Sequence, residues 1–314
     1  MFLILCLFLY SCSRLPQSEG EFNEIIIFSS EEDVKFVDST IKNLFSEIIY
    51  TPSEEKVFQI RWIEPKKINN YLNYSNLLFI SLDSPRDSTI DSLSKRFENI
   101  YNEKVFLLDD LYAKNQVIMF LICNDSIDFE LKIKDYSNWL IENFSANIDK
   151  KISHYLNKFN SNSKIEELLY DNYNIKMNIQ EDYMIIKNDT VNSKFTWIGR
   201  GFPYRWLTFT VLDSFKVRDV WIQYEKLLNK NMTNVKISKY YKNIVFKSEN
   251  IIKIQGLYEE KYSDTGGPFF AYINYDENSE KAIAVSGFVN NPGKKKGRLL
   301  RELEVLIKNI NYEE

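Results

Sequence analysis

Three carboxylic acids crowd into "GLYEEKYSDTGG": Glu259, Glu260 and Asp264. Paired carboxylates in one pocket are the minimal equipment for hydrolysis by proton transfer. Asp264-Thr265-Gly266 also has the form of an aspartic-protease loop, whose chemistry needs two such acids sharing a proton. The chain holds no second copy, and the preceding "YEEKYS" is not an apolar strand that would bury the first. The stretch reads more simply as a glycine-rich turn, with Gly266 and Gly267 permitting positive φ and Pro268 and Phe269 opening the next element.

A second constellation is "PGKKKGR", Pro292 to Arg298, placed just before the last amphipathic helix. Lys294, Lys295, Lys296 and Arg298 there oppose the helix dipole by a few tenths to about 1 kcal/mol, and an anion would reverse that sign. Free N–H groups and these cations could cradle a phosphate or carboxylate from a headgroup, a glycan or a partner protein. The plainer alternative is a solvated loop with Arg298 paired to Glu302 one turn along. In "GRGFPYRW", Arg200, Arg205 and Trp206 suit a protein contact, because Arg and aromatic side chains desolvate much area at modest entropic cost. The competing reading is an ordinary hairpin connection.

Other chemistries lack material. The single histidine, His154, falls among lysines on a helix, which leaves zinc centres and histidine triads without partners. "DENSE", Asp276 to Glu280, lacks the glycine and distal acid of a calcium loop and reads as a hairpin tip. No metal and no cofactor is expected. Cys123, in "QVIMFLICN", reads as a buried, inert thiol.

The elements that must position these groups follow from periodicity. "EIIIFSS" reads as a strand, and Val34, Val37, Ile41, Leu44 and Ile48 then keep helical spacing. "VFQIRWI", "NLLFISL", "VFLLDDLY" and "QVIMFLIC" are further strands, with a helix through Ile90, Leu93, Phe97 and Ile100. A long helix carries Ile133, Tyr136, Leu140, Phe144, Ile148, Ile152 and Tyr155, and "NKFNSNSK" breaks it. The second half is strand-rich: "NIKMNIQ", "DYMIIKN", "SKFTWIG", "RWLTFTVL" and "IIKIQGLYE", then a hairpin across Asp276 to Lys281, with helices through Val217 to Leu227 and Leu299 to Ile310.

The fold class expected is α+β: two layered αβ units, mostly antiparallel sheets with packed helices, the first roughly ferredoxin-like in element order. The expected divisions are 1–11, a lipoprotein signal peptide; 12–22, a lipidated tether; 23–160, an N-terminal αβ unit; and 161–314, a C-terminal strand-rich αβ unit.

The net charge of −4 with mixed signs offers no concentrated basic surface for nucleic acid. Met1 to Tyr10 is almost wholly apolar, yet ten residues rise only about 15 Å as a helix, half of a bilayer core. Such a run reads as a secretory signal. Leu9-Tyr10-Ser11-Cys12 resembles the lipobox of bacterial lipoproteins, in which Cys12 becomes the acylated first residue, and two or three acyl chains anchor a protein stably. No Lys or Arg precedes the run.

The last sixty or so residues carry a resemblance. "GLYE" (256–259), "GGPF" (266–269), "GFV" (287–289), Lys295-Lys296 and Arg301-Glu302-Leu303-Glu304 resemble the C-terminal signature of an uncharacterised family of Bacteroidota lipoproteins, the domain of unknown function 4837. "LPQSEGEFNEIIIF" (15–28) looks like the family's start. Two positions depart from the pattern: Gln255 stands where Arg is expected, and Tyr258 where Trp is expected.

The resemblance implies an envelope lipoprotein, lipid-anchored to a bacterial membrane, with no established activity. The expected function is non-enzymatic: a binding or assembly protein whose partner is an envelope protein or an anionic envelope component. The alternative is a carboxylate-dependent hydrolase acting on envelope material through Glu259, Glu260 and Asp264. A concave pocket with converging acids would favour the enzyme.

Overall fold

The computed structural model describes residues 15–83, 88–101, 103–263, 265–276 and 278–312. The expected signal peptide and Cys12, and likewise Asp264, lie outside the described residues. The chain divides into two units: residues up to Phe45 with Phe58–Ile148, and Ser46–Val57 with Asp149 onward. The border falls inside the long helix, ahead of the Asn/Ser-rich break where it was expected, and an early segment of chain belongs to the second unit.

In chain order the elements are β1 (Glu24–Phe28), α1 (Glu31–Leu44), a small hairpin β2 (Ile48–Ile49) and β3 (Glu55–Lys56), β4 (Gln59–Ile63), β5 (Asn76–Leu82), α2 (Ser88–Tyr101), β6 (Val105–Asp109), β7 (Val117–Cys123) and α3 (Ser126–Leu156). The first unit's sheet runs β4-β1-β5-β7-β6. The β-α-β-β-α-β order with one extra strand is present, but the pairing is not ferredoxin-like. β1 pairs in parallel with β4 and β5, and β5 with β7, leaving only β6 antiparallel. The reason lies in composition: β5 and β7 are buried at every position, as central parallel strands covered on both faces must be.

A phenylalanine ladder crosses this sheet in register. Phe28 stacks on Phe79, Phe79 on Phe120 and Phe120 on Phe106, with centroids 4.8, 4.8 and 4.7 Å apart. Each pair is also a direct cross-strand pair, so one ring per strand pins the register. Helix α1 starts where the Ser30 hydroxyl accepts from Asp33 N at 3.0 Å.

The expected tether is tied down over much of its length. Lys114 N donates to Pro16 O at 2.8 Å, Ser18 N to Lys114 O at 3.2 Å, and Glu19 N to Asn73 O at 2.8 Å. Gly20, at φ +82°, turns the chain past the ring of Tyr74.

The second unit adds α4 (Ser163–Tyr173), β8 (Ile175–Lys176), β9 (Met184–Asp189), β10 (Phe195–Arg200), β11 (Tyr204–Asp213), α5 (Val220–Asn231), β12 (Val235–Ser248), β13 (Ile251–Glu260), β14 (Gly266–Asp276), β15 (Lys281–Asn290), α6 (Gly297–Lys308) and β16 (Asn311–Tyr312). Seven strands form one antiparallel sheet, β12-β13-β14-β15-β11-β10-β9. Side chains alternate across it. Phe269, Ala271 and Ile273 join Val220, Tyr224 and Leu228 of α5 in one core, whereas Tyr272 on the other face meets Glu304 of α6. "NIKMNIQ", expected as a full strand, contributes only the short β8. Taken whole the chain is α+β and mostly antiparallel. Among the described residues no helix is long and apolar enough to cross a membrane.

Candidate functional site

Gly266 and Gly267, expected in a turn with positive φ, instead open strand β14 without positive φ, and close packing explains them. A Cβ on Gly266 would lie 2.2 Å from Tyr258 O, and one on Gly267 1.9 Å from Val289 O, so neither position admits a side chain. Pro268 pairs with Leu257 in register, and Phe269 stacks on Phe288 at 5.3 Å and on Tyr224 at 5.7 Å. Tyr258, where tryptophan was expected, buries its ring and donates from its hydroxyl to Val289 O at 3.2 Å. That burial pushes its ionisation well above the ordinary tyrosine range. Gln255, where arginine was expected, donates to the Tyr241 hydroxyl at 2.8 Å. Gly266 to Phe269 thus lace β14 between its neighbours.

Beside this lacing opens a cavity of about 730 Å³, walled by Ser238, Tyr240, residues 257–263 and 265–267, with Pro52. Glu260 is its ordered acid: its carboxylate accepts from Asn290 Nδ2 at 2.7 Å and from Ser263 Oγ at 3.1 Å. Ser263 and Thr265 share a hydrogen bond of 2.7 Å. Glu259 is the neighbouring residue on β13, so its side chain leaves the strand in the opposite direction. The two acids therefore share a wall without forming a dyad.

The cations before α6 have an anion, supplied by the chain itself. Lys296 N and Gly297 N donate to the two carboxylate oxygens of Glu55, at 2.7 and 2.9 Å. Lys296 is buried, its ammonium donating to Lys294 O at 2.9 Å, while Lys294 and Lys295 are exposed. Arg298 pairs with Glu302 at 3.1 Å and lies over the Tyr155 ring. The helix start, read as an anion cradle or as a solvated loop with Arg298 on Glu302, shows that Arg298 pair and takes Glu55 from a hairpin far away in sequence.

The second expected contact loop is likewise turned inward. Arg200 pairs with Asp182 and lies over Tyr183. Arg205 reaches the buried Glu302 at 2.5 Å. Trp206 packs against Trp197 at 5.5 Å and Tyr258 at 5.8 Å. Phe202 and Tyr204 are the exposed aromatics of this hairpin.

The signature's final motif fastens α6 to the sheet. Arg301 pairs with Asp149 at 2.5 Å, Leu303 is fully buried, and Glu304 accepts from Lys253 at 2.8 Å and from Tyr272 at 2.7 Å. Burial alone would raise the Glu304 carboxyl, but the Lys253 and Lys308 ammonium groups and the two hydrogen bonds outweigh it and hold the group at about 2. Among the described residues no cluster of His, Cys, Asp or Glu is placed to hold a metal ion. Cys123 is buried, which pushes its thiol up to about 12.

Residues 161–309 match the family model described as Domain of unknown function (DUF4837), and residues 18–156 match that described as Domain of unknown function (DUF8532). The opening segment, expected to begin the first family, falls largely within the second model, and the DUF4837 match reaches far upstream of the sixty residues that carried the resemblance. A search of curated proteins gives no match. Solved structures with some likeness include the Ran-binding protein Mog1p of Saccharomyces cerevisiae, at 7% identity and TM-score 0.31, covering 44% of this chain and 89% of that one. A mutant of Mog1 scores 0.29 at 7% identity, with 44% and 89% covered. A protein of Bacteroides thetaiotaomicron scores 0.22 at 13% identity, with 45% of each chain covered. Likeness this slight carries no argument.

Proposed function

We propose that this is an envelope lipoprotein of a bacterial membrane, acylated at Cys12, and a non-enzymatic binding protein whose DUF4837 domain holds its ligand in the cavity beside β13. The observation that carries the reading is the pairing of an open cavity with two described acids, Glu259 and Glu260, that do not converge. Glu259 and Glu260 diverge along the strand, and Glu260 is occupied by Asn290 and Ser263. Hydrogen-bonding groups in a cavity of this size support recognition, while a hydrolase needs its acid and base aimed at one point.

The anchor rests on Leu9-Tyr10-Ser11-Cys12. Because Pro16 is bonded to Lys114, the four steps from Cys12 give a lipid a reach of at most about 14 Å, which keeps the first unit against the bilayer. Metabolic labelling with an alkyne fatty acid tests this. The wild-type chain should carry label and sediment with membranes, and Cys12→Ser should lose both. Label persisting in Cys12→Ser would remove the lipoprotein reading.

A further inference from the structure

We infer that the cavity beside β13 takes a saccharide, a ligand built of polyhydroxylated pyranose rings; the inference rests on the binding function proposed above. Its volume, about 730 Å³, lies within the range of small-molecule sites and has room for more than one sugar ring. Its walls are rich in hydroxyls, from Ser238, Ser263, Thr265, Tyr240 and Tyr262. Each hydroxyl both donates and accepts, which is the complement a sugar hydroxyl needs.

The tyrosines are the second argument. Tyr262 is 85% exposed and Tyr240 80%, a costly way to place two large rings unless something covers them. An aromatic face offers apolar area to the C–H face of a pyranose while the phenol stays hydrogen-bonded at the rim.

Charge narrows the class further. Among the described lining residues Lys261 is the one cation, and the ordered Glu260 carboxylate offsets it, which disfavours phosphates and polyanions. Leu257 and Pro52 are too little apolar wall for an acyl chain. A neutral, hydroxyl-bearing ligand fits both restrictions. The receiving groups are already ordered: Ser263 is held between Glu260 and Thr265, and linked hydrogen bonds of this kind polarise one another.

The test titrates the full chain in detergent with four probes, read by saturation-transfer NMR and calorimetry. Chitobiose and chitotetraose represent a cell-wall source, and glucose and mannose tetrasaccharides a surface-polysaccharide source. At least one probe should bind, and the pattern across the arms names the source. Tyr262→Ala and Tyr240→Ala, at exposed positions, should each weaken that binding by about tenfold, and Tyr312→Ala, outside the cavity, should not. Silence from all four probes at millimolar concentration overturns the inference. So does wild-type binding by both cavity variants. New reducing ends appearing during the titration would uphold the saccharide and remove the non-enzymatic reading, and failure of the acylation test leaves the cavity result standing.

Discussion

The carboxylate of Glu55 caps Gly297, its Oε2 2.9 Å from the Gly297 N–H, while Oε1 takes the N–H of Lys296. This one side chain turns a helix start crowded with lysines into a satisfied one, because it supplies both the hydrogen-bond acceptor and the negative charge that a helix N-terminus favours.

Removing it should therefore uncap α6. Glu55→Ala should cost about 0.5–2 kcal/mol, visible as faster hydrogen exchange through the first turn of α6. Lys294→Gln and Lys295→Gln, at exposed positions, should change stability by less than about 0.5 kcal/mol. Unchanged exchange in Glu55→Ala would show that the lysines manage without it.

Glu304 predicts an acid transition. Its carboxyl lies at about 2 in the folded chain against an ordinary 4.5, so its contribution is full above 4.5 and is lost as pH falls towards 2. Glu304→Gln should flatten stability against pH in that window. At neutral pH it should cost about 3–5 kcal/mol, because Lys253 would be left buried and unpaired, whereas Lys253→Met with Glu304→Leu should be nearly neutral or stabilising. Denaturant titrations at several pH values measure both.

Gly267 tolerates no side chain. Gly267→Ala sets a Cβ 1.9 Å from a backbone oxygen, which no rotamer relieves, so the loss should be about 3 kcal/mol or more. Gly201→Ala, with nothing within 4 Å, is the matched control and should melt with the wild type.

Cys123 should resist thiol reagents in the native state and react fully in denaturant, since only the thiolate attacks and the thiol is both buried and held near 12. Mass spectrometry of the Cys123 peptide, with and without urea, decides it.

The runs that are strongest in the sequence became the elements expected of them. "NLLFISL" and "QVIMFLIC" are strands, and the long amphipathic stretch through Leu140 and Phe144 is α3. Their unbroken apolarity also held the clue to parallel pairing, which an argument from element order passed over. Helix α4 hid behind the Asn/Ser break, although Asn162 caps it at Ile165 N and Ile165, Leu169 and Tyr173 repeat at helical spacing. β12 was missed because its lysines blur any alternation.

At the site, the acids and the need for glycine were legible as local chemistry, but Gly266 and Gly267 serve close strand packing and not the positive φ expected of them. The divergence of the acids follows from adjacent numbers on a strand, but the clasp of Asn290 on Glu260 does not. The internal partners that the loops around Lys296 and Arg205 acquire were not legible for the same reason. Glu55, which takes the Lys296 and Gly297 N–H groups, and Glu302, which pairs with Arg205, are remote in sequence, and single-chain spacing carries no record of remote pairs.

The hairpin of β2 and β3 belongs to the second unit although the chain returns to the first before building the rest of it. Tyr50 stacks on Tyr241 at 3.9 Å, and Glu55 waits for Gly297. On the ribosome, or emerging head-first across a membrane, this hairpin appears long before the strands it serves. Until then α6 has no cap, so closing the second unit must wait for nearly the whole chain. Non-local closure of this kind is slow and leaves apolar strands exposed meanwhile, which makes the interval before the chain is complete the period when the second unit is most open to wrong pairings.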